Sequence, residues 1–250
     1  MTLRRCMLTV VLLLSVVGLQ AQGLKVLYMG DSITDGGWGN SGGTAKPSEK
    51  RSHTDMNHIY GHSYMFLCAT HYQSNYPEEG YQFFNRGVSG YTLADLETRW
   101  PKDVLQLNPD VLSVLVGTND IHKALQEGSE FDVADWARRY RALLDAARQQ
   151  NPKLELVLCT PFVAATGRVG QSADYAQRKA WVAACADVVR TLAKEYGATL
   201  VDFDRMFATL LQRHPMDDGK YWIWDGIHPT PAGHHRMASL WMKRCNRLLR

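Results

Sequence analysis

Lys25-Val-Leu-Tyr-Met29 runs directly into Gly30-Asp31-Ser32-Ile33-Thr34. A short apolar, β-rich run that ends abruptly in small polar residues is the signature of a buried strand feeding a loop and then a helix. The same kind of run recurs at Tyr81–Asn85, Val111–Val116, Leu154–Cys159 and Thr199–Phe203. Longer amphipathic stretches separate these runs, near Ile59–Tyr72, Leu93–Gln106, Val133–Gln150 and Ala173–Tyr196. A last one spans Pro231–Leu249, with Thr230 at the N-cap and Pro231 at the first helical position. Strand and helix alternating in this way predict an α/β fold: a mainly parallel five-stranded sheet covered by helices on both faces, a three-layer α/β/α sandwich. No internal repeat, low-complexity linker or composition break divides residues 23–250, so one domain is expected.

The first 22 residues read differently. Arg4 and Arg5 precede an apolar run from Cys6 to Leu19, and small or polar residues follow through Ala21 and Gln22. Basic head, short apolar core and small-residue exit predict a secretory signal peptide over 1–22, the alternative being an N-terminal membrane anchor. No later segment approaches transmembrane apolar length. A soluble protein, periplasmic or secreted, is expected. The whole chain carries 28 Lys and Arg against 25 Asp and Glu, for a formal charge of +3. Arg4 and Arg5 leave with the leader, so the mature domain is close to neutral, at about +1, and nothing supports a nucleic-acid or anionic-membrane partner. Cys68, Cys159, Cys185 and Cys245 stand singly in apolar segments. Buried thiols are the expectation, with a Cys159–Cys185 bridge as the alternative.

In a parallel sheet, ligands sit beyond the carboxyl ends of the strands. The residues following the strands are chemically unusual at several of these places. Ser32 follows the first strand, where it either caps a helix or presents a nucleophilic hydroxyl. Asn85-Arg86-Gly87-Val88-Ser89-Gly90-Tyr91 follows the second, where Gly87 reads as an ordinary turn glycine. Gly117-Thr118-Asn119-Asp120 follows the third, and Asn119 either aims its amide at a developing negative charge or caps the next turn. Asp225-Gly-Ile-His228 precedes the last helix, a spacing that lets a carboxylate accept from one imidazole nitrogen while the other faces a nucleophile. Together they compose acyl transfer. His228 draws the proton from Ser32, and Asp225 orients the ring. The backbone N–H groups of Ser32 and Gly90 and the side chain of Asn119 supply three donors for the oxyanion.

These four blocks resemble the conserved blocks of the SGNH, or GDSL-like, hydrolases, and the resemblance spans Lys25 to about Leu249. The first block reads Gly-Asp-Ser-Ile where Gly-Asp-Ser-Leu is the family's usual form. The resemblance implies a flavodoxin-like α/β/α sandwich and an ester hydrolase that needs neither metal nor cofactor.

Other motifs compete for attention. Gly39-Asn-Ser41-Gly-Gly43 matches a Gly-x-Ser-x-Gly pattern, but it lies in a polar, glycine-rich loop without the flanking strand and helix that motif requires. His58 and His62 stand four apart as on one helix face, with no third metal ligand nearby, and His234 and His235 read as structural. Asp31, beside Ser32, and the aromatic Trp38, Tyr91 and Trp224, with Trp222 beside them, are the candidates for contact with substrate; aromatic faces near a cleft suit sugar rings. The expectation is an exported esterase acting on short acyl, chiefly acetyl, groups of carbohydrates. The alternatives are a lysophospholipase or thioesterase of the same family, a glycan-binding protein without catalysis, and a metal hydrolase using His58 and His62.

Overall fold

The computed structural model describes residues 23–37 and 60–250. Its frame is five parallel strands: β1 (Lys25–Gly30), β2 (Gln82–Asn85), β3 (Val111–Leu115), β4 (Glu155–Cys159) and β5 (Thr199–Val201). Their spatial order is β2-β1-β3-β4-β5. β1 is an interior strand next to the β2 edge, pairing Val26 with both Phe83 and Val111. This order puts a topological switch at the end of β1, where connections depart to opposite sides of the sheet.

Side chains alternate across the sheet with period two, and each face carries its own core. Val26 and Tyr28 point into one, with Tyr64 and Tyr72 of α2 (Tyr64–Asn75), Phe203 and Phe207 of α8 (Phe203–Arg213), and Met237 and Trp241 of α9 (Pro231–Cys245). Leu27 and Met29 point into the other, with Leu96 of α3 (Leu93–Trp100), Ile121 of α4 (Thr118–Glu127), Tyr140 of α5 (Val133–Gln150) and Val189 of α7 (Tyr175–Glu195). Two single-turn helices complete the set: α1 (Ser32–Asp35) and α6 (Gly167–Gly170). The result is the three-layer sandwich the alternation predicts. The Cys159–Cys185 alternative fails for a geometric reason: the two belong to cores on opposite faces of the sheet. All four described cysteines are buried free thiols.

Element ends differ from the sequence reading in instructive ways. α2 starts at Tyr64, five residues later than expected, because the Ser63 side chain accepts the Met65 N–H and fixes the start. α3 stops at Trp100; Pro101 opens a wider turn over Pro101–Leu105, closed by Gln106 N–H to Pro101 O. α9 begins as expected, with Thr230 accepting the Gly233 N–H and Pro231 in the first turn. α4 and α8 are additional to the expected helices. The expected last strand, Thr199–Phe203, is cut at Val201 because Asp202 caps α8 by accepting the Arg205 N–H. Among the described residues no helix is long and apolar enough to cross a membrane. The 1–22 leader, Trp38, Ser41 and His58 lie outside the described residues.

Candidate active site

The loops after the strands converge on a cleft of about 390 Å³, lined in part by Ser32, Gly90, Asn119 and His228. Ser32 is the first residue of α1, and the Asp31 carboxylate caps that turn by accepting the Ile33 N–H at 3.0 Å. The cap holds Asp31 behind the serine, only 2% exposed, so its placement is beneath the cleft and away from substrate. Burial pushes its carboxyl up to about 6, against the Ile33 hydrogen bond and nearby His228, which lower it.

Ser32 Oγ lies 2.9 Å from His228 Nε2. On the far side of the ring, His228 Nδ1 lies 2.8 Å from Asp225 Oδ2. Asp225 Oδ1 also accepts the backbone N–H groups of Ile227 and His228, at 3.0 and 2.7 Å. Burial works against a charged Asp225, yet these bonds prevail and hold its carboxyl down to about 2. An ionised carboxylate at Nδ1 keeps a proton there and leaves Nε2 to accept from the serine. The same bond raises the His228 pKa above its ordinary value, although burial opposes it.

The loop bearing Asp225 and His228 is locked to the segment after β4. Ala164 N–H donates to Gly226 O at 2.9 Å and Val169 N–H to Asp225 O at 3.0 Å. Gly226 sits at φ 99°, and a Cβ there would press within 2.6 Å of Val169. Gly167, at φ 51°, leaves no room for a Cβ against Trp224 O and the Asp225 Cα. Two glycines, one in the segment after β4 and one in the segment before α9, thus let these backbones touch.

The backbone N–H groups of Ser32 and Gly90 have no acceptor among the described residues, and both residues face the cleft. Asn119 Nδ2 donates to Tyr91 O at 3.1 Å and makes a longer 3.4 Å contact with Asp31 Oδ2. The Tyr91 carbonyl therefore orients the amide. The long Asp31 contact marks the N–H that can turn to a ligand with least loss. Gly87 is more than a turn residue: a Cβ would come within 2.6 Å of Asp35 N, so it lets the β2 loop close onto α1.

The aromatic candidates separate. Trp224 is 58% exposed, its ring stacked beside His228 with centroids 6.5 Å apart. The Tyr91 ring lies under the Arg99 guanidinium, and Tyr91 meets the site through its carbonyl. Trp222 is fixed by donating its Nε1–H to His214 O at 2.9 Å. His234 is structural: its Nδ1 accepts the Tyr64 N–H, and burial holds its pKa down to about 4. Among the described residues no group of three or more His, Cys, Asp or Glu is placed to hold a metal ion. The sequence reading missed part of the cleft. Arg168, His122 and Arg178 line it together with the catalytic candidates. They lie on three separate helices, with no spacing signal to join them.

A model of the GDSL-like lipase/acylhydrolase family matches residues 28–236. An acetylxylan esterase of Geobacillus stearothermophilus is 29% identical over 224 residues, which cover 88% of this chain and 93% of that protein. The crystal structure of a GDSL-like lipase from Parabacteroides merdae superposes with a TM-score of 0.75 at 29% identity, covering 90% of this chain and 96% of that one. The crystal structure of an acetylxylan esterase from Geobacillus stearothermophilus gives a TM-score of 0.68 at 26% identity, covering 89% and 94%.

Proposed function

The chain belongs to the GDSL-like lipase/acylhydrolase family, and from that premise we propose that it removes acetyl groups from carbohydrates by a serine mechanism. The observation that carries the reading is the unbroken chain Ser32 Oγ–His228–Asp225, at 2.9 and 2.8 Å, opening into a cleft that also presents two backbone N–H groups without an acceptor among the described residues. In the mechanism, Ser32 Oγ attacks the ester carbonyl as His228 Nε2 takes its proton. The oxyanion is met by the N–H groups of Ser32 and Gly90 and by Asn119 Nδ2. His228 then returns the proton to the departing sugar hydroxyl, leaving an acetyl-serine. Water, activated by the same imidazole, attacks that ester and frees acetate.

Two features support a sugar ester. Trp224 presents an exposed ring beside His228, suited to stacking on a pyranose. The similar proteins named above include acetylxylan esterases of Geobacillus stearothermophilus. The reading includes export, on the strength of the leader at 1–22, which lies outside the described residues; fractionating the producing cells checks that part.

The deciding experiment follows acid release from p-nitrophenyl acetate and from longer acyl esters, with wild type and Ser32→Ala. The expected outcome is acetate-selective activity that falls about 10⁶-fold in kcat on Ser32→Ala. Activity surviving that substitution overturns the mechanism, and preference for long acyl chains overturns the acetyl assignment.

A further inference from the structure

The cleft has a second wall that the acyl-transfer steps leave unused. Arg168 of α6, His122 of α4 and Arg178 of α7 face the same space as Ser32 and His228. Arg178 is only 4% exposed. Its Nη2 donates to Asp174 Oδ2 at 3.1 Å and lies 3.3 Å from His122 Nδ1. Its buried Nε and Nη1 have no acceptor among the described residues. A desolvated guanidinium lining the cleft is a fixed positive charge at its wall.

His122 adds to the donor set. A guanidinium can only donate, so Nδ1 of His122 is the accepting nitrogen and the ring proton sits on Nε2. Burial, then the charges of Arg178 and Arg168, favour the neutral ring. Arg168 is exposed and has no hydrogen-bond or ion-pair partner among the described residues. It is nonetheless close enough to His122 and His228 for its charge to oppose protonation of both. Asp174, the carboxylate on this wall, is tied to Arg178 and offsets its charge. One positive charge, that of Arg168, is left uncompensated.

We propose that this wall is a carboxylate subsite, and that the preferred substrate is an acetylated sugar bearing a carboxylate, held by Arg168 with the buried Arg178 charge behind it while its ester reaches Ser32. The inference rests on the esterase reading and names its substrate class, an O-acetylated uronic acid with its carboxylate free. A single uncompensated charge suits a monoanionic carboxylate better than a dianionic phosphate. The planar fork of arginine also matches the two carboxylate oxygens.

The test uses purified protein and three esters: p-nitrophenyl acetate, a methyl glucoside acetylated on its three secondary hydroxyls, and the methyl glucuronoside acetylated at the same positions. The two sugars differ only in a carboxylate. Wild type is expected to favour the glucuronoside in kcat/KM by roughly tenfold, the scale of one charged hydrogen-bonded contact. The preference should shrink as salt is added. Arg168→Gln should bring the ratio near one, and Arg168→Glu should invert it. A wild-type ratio of one or less, or a ratio untouched by Arg168→Gln, overturns the subsite. Release from p-nitrophenyl acetate without any glucuronoside preference overturns the subsite alone. No release from any of the three esters overturns the esterase reading and the subsite with it.

Discussion

The two walls of the cleft are finished to different degrees. On the Asp225–His228 wall the polar groups are matched: both Asp225 oxygens accept, both imidazole nitrogens are engaged, and the loop is bonded to the segment after β4. On the Arg168–Arg178 wall, Arg168 stands exposed without a partner among the described residues, and part of the polar surface is already out of water. A catalytic arrangement gains from being complete before substrate arrives, because fixed dipoles need no reorganisation when charge develops. A recognition surface gains from the opposite, since its missing partner is the ligand. Under the proposed function, the contrast separates groups that act on the ester from groups that select its bearer.

Breaking the finished wall should give the largest effect. Asp225→Asn keeps an oxygen for the Ile227 and His228 N–H groups but sets an amide NH₂ against His228 Nδ1. The ring is then driven to the wrong tautomer. Steady-state acetate release should show kcat lowered by about 10⁴-fold, with little change in thermal unfolding. Asn119→Ala stands next, removing one oxyanion donor while leaving the proton relay in place. A kcat loss of about 10²–10³-fold is expected, with KM nearly constant. A loss confined to KM would assign Asn119 to substrate binding instead.

The smallest effect separates activity from stability along the pH axis. His228 must be neutral to accept the serine proton, and Asp225 raises its pKa. Activity should therefore climb with pH through a midpoint above 6.5, the ordinary histidine value. Stability runs the other way. Asp31 and Asp120 are pushed up to about 6 from 3.8 by burial. The folded protein thus binds more protons than the unfolded chain between those values, and stability falls as pH rises through them. Asp225 has the reverse sign: its contribution is whole above 3.8 and is lost as pH falls toward 2. Thermal unfolding should peak near the acid end of the 4–6 window while activity is still rising. Asp31→Asn should flatten the decline and raise the Tm by about 2–4 °C at pH 8. A wild-type Tm that instead climbs steadily to pH 8 would contradict this assignment.

The sequence made the sheet legible because its strands are short apolar runs ending in small polar residues, and Asp225-x-x-His228 makes one site pairing local. Missing features lack such local marks. α4 has Gly117 as its N-cap, with φ 127° and no side-chain cap, so the start signal of a helix is absent from the sequence. α8 hides because Val201-Asp202-Phe203 alternates like a strand until Asp202 is seen capping. Asp31 looked like a substrate contact from its place beside Ser32; the turn geometry that rotates it underneath is not a property of spacing. Arg168, His122 and Arg178 carry no common pattern, and only the folding of α4, α6 and α7 around one space brings them together.

The seam where Gly167 and Gly226 let two backbones meet ties these walls into one piece. The residue that steers the imidazole and the residue that greets an anionic neighbour hang from the same joint, so neither loop can lengthen or shift alone. Diversification within this architecture is therefore channelled: a change of clientele can proceed by exchanging side chains such as Arg168. Remodelling the path from 160 to 170 would carry Asp225 along with it.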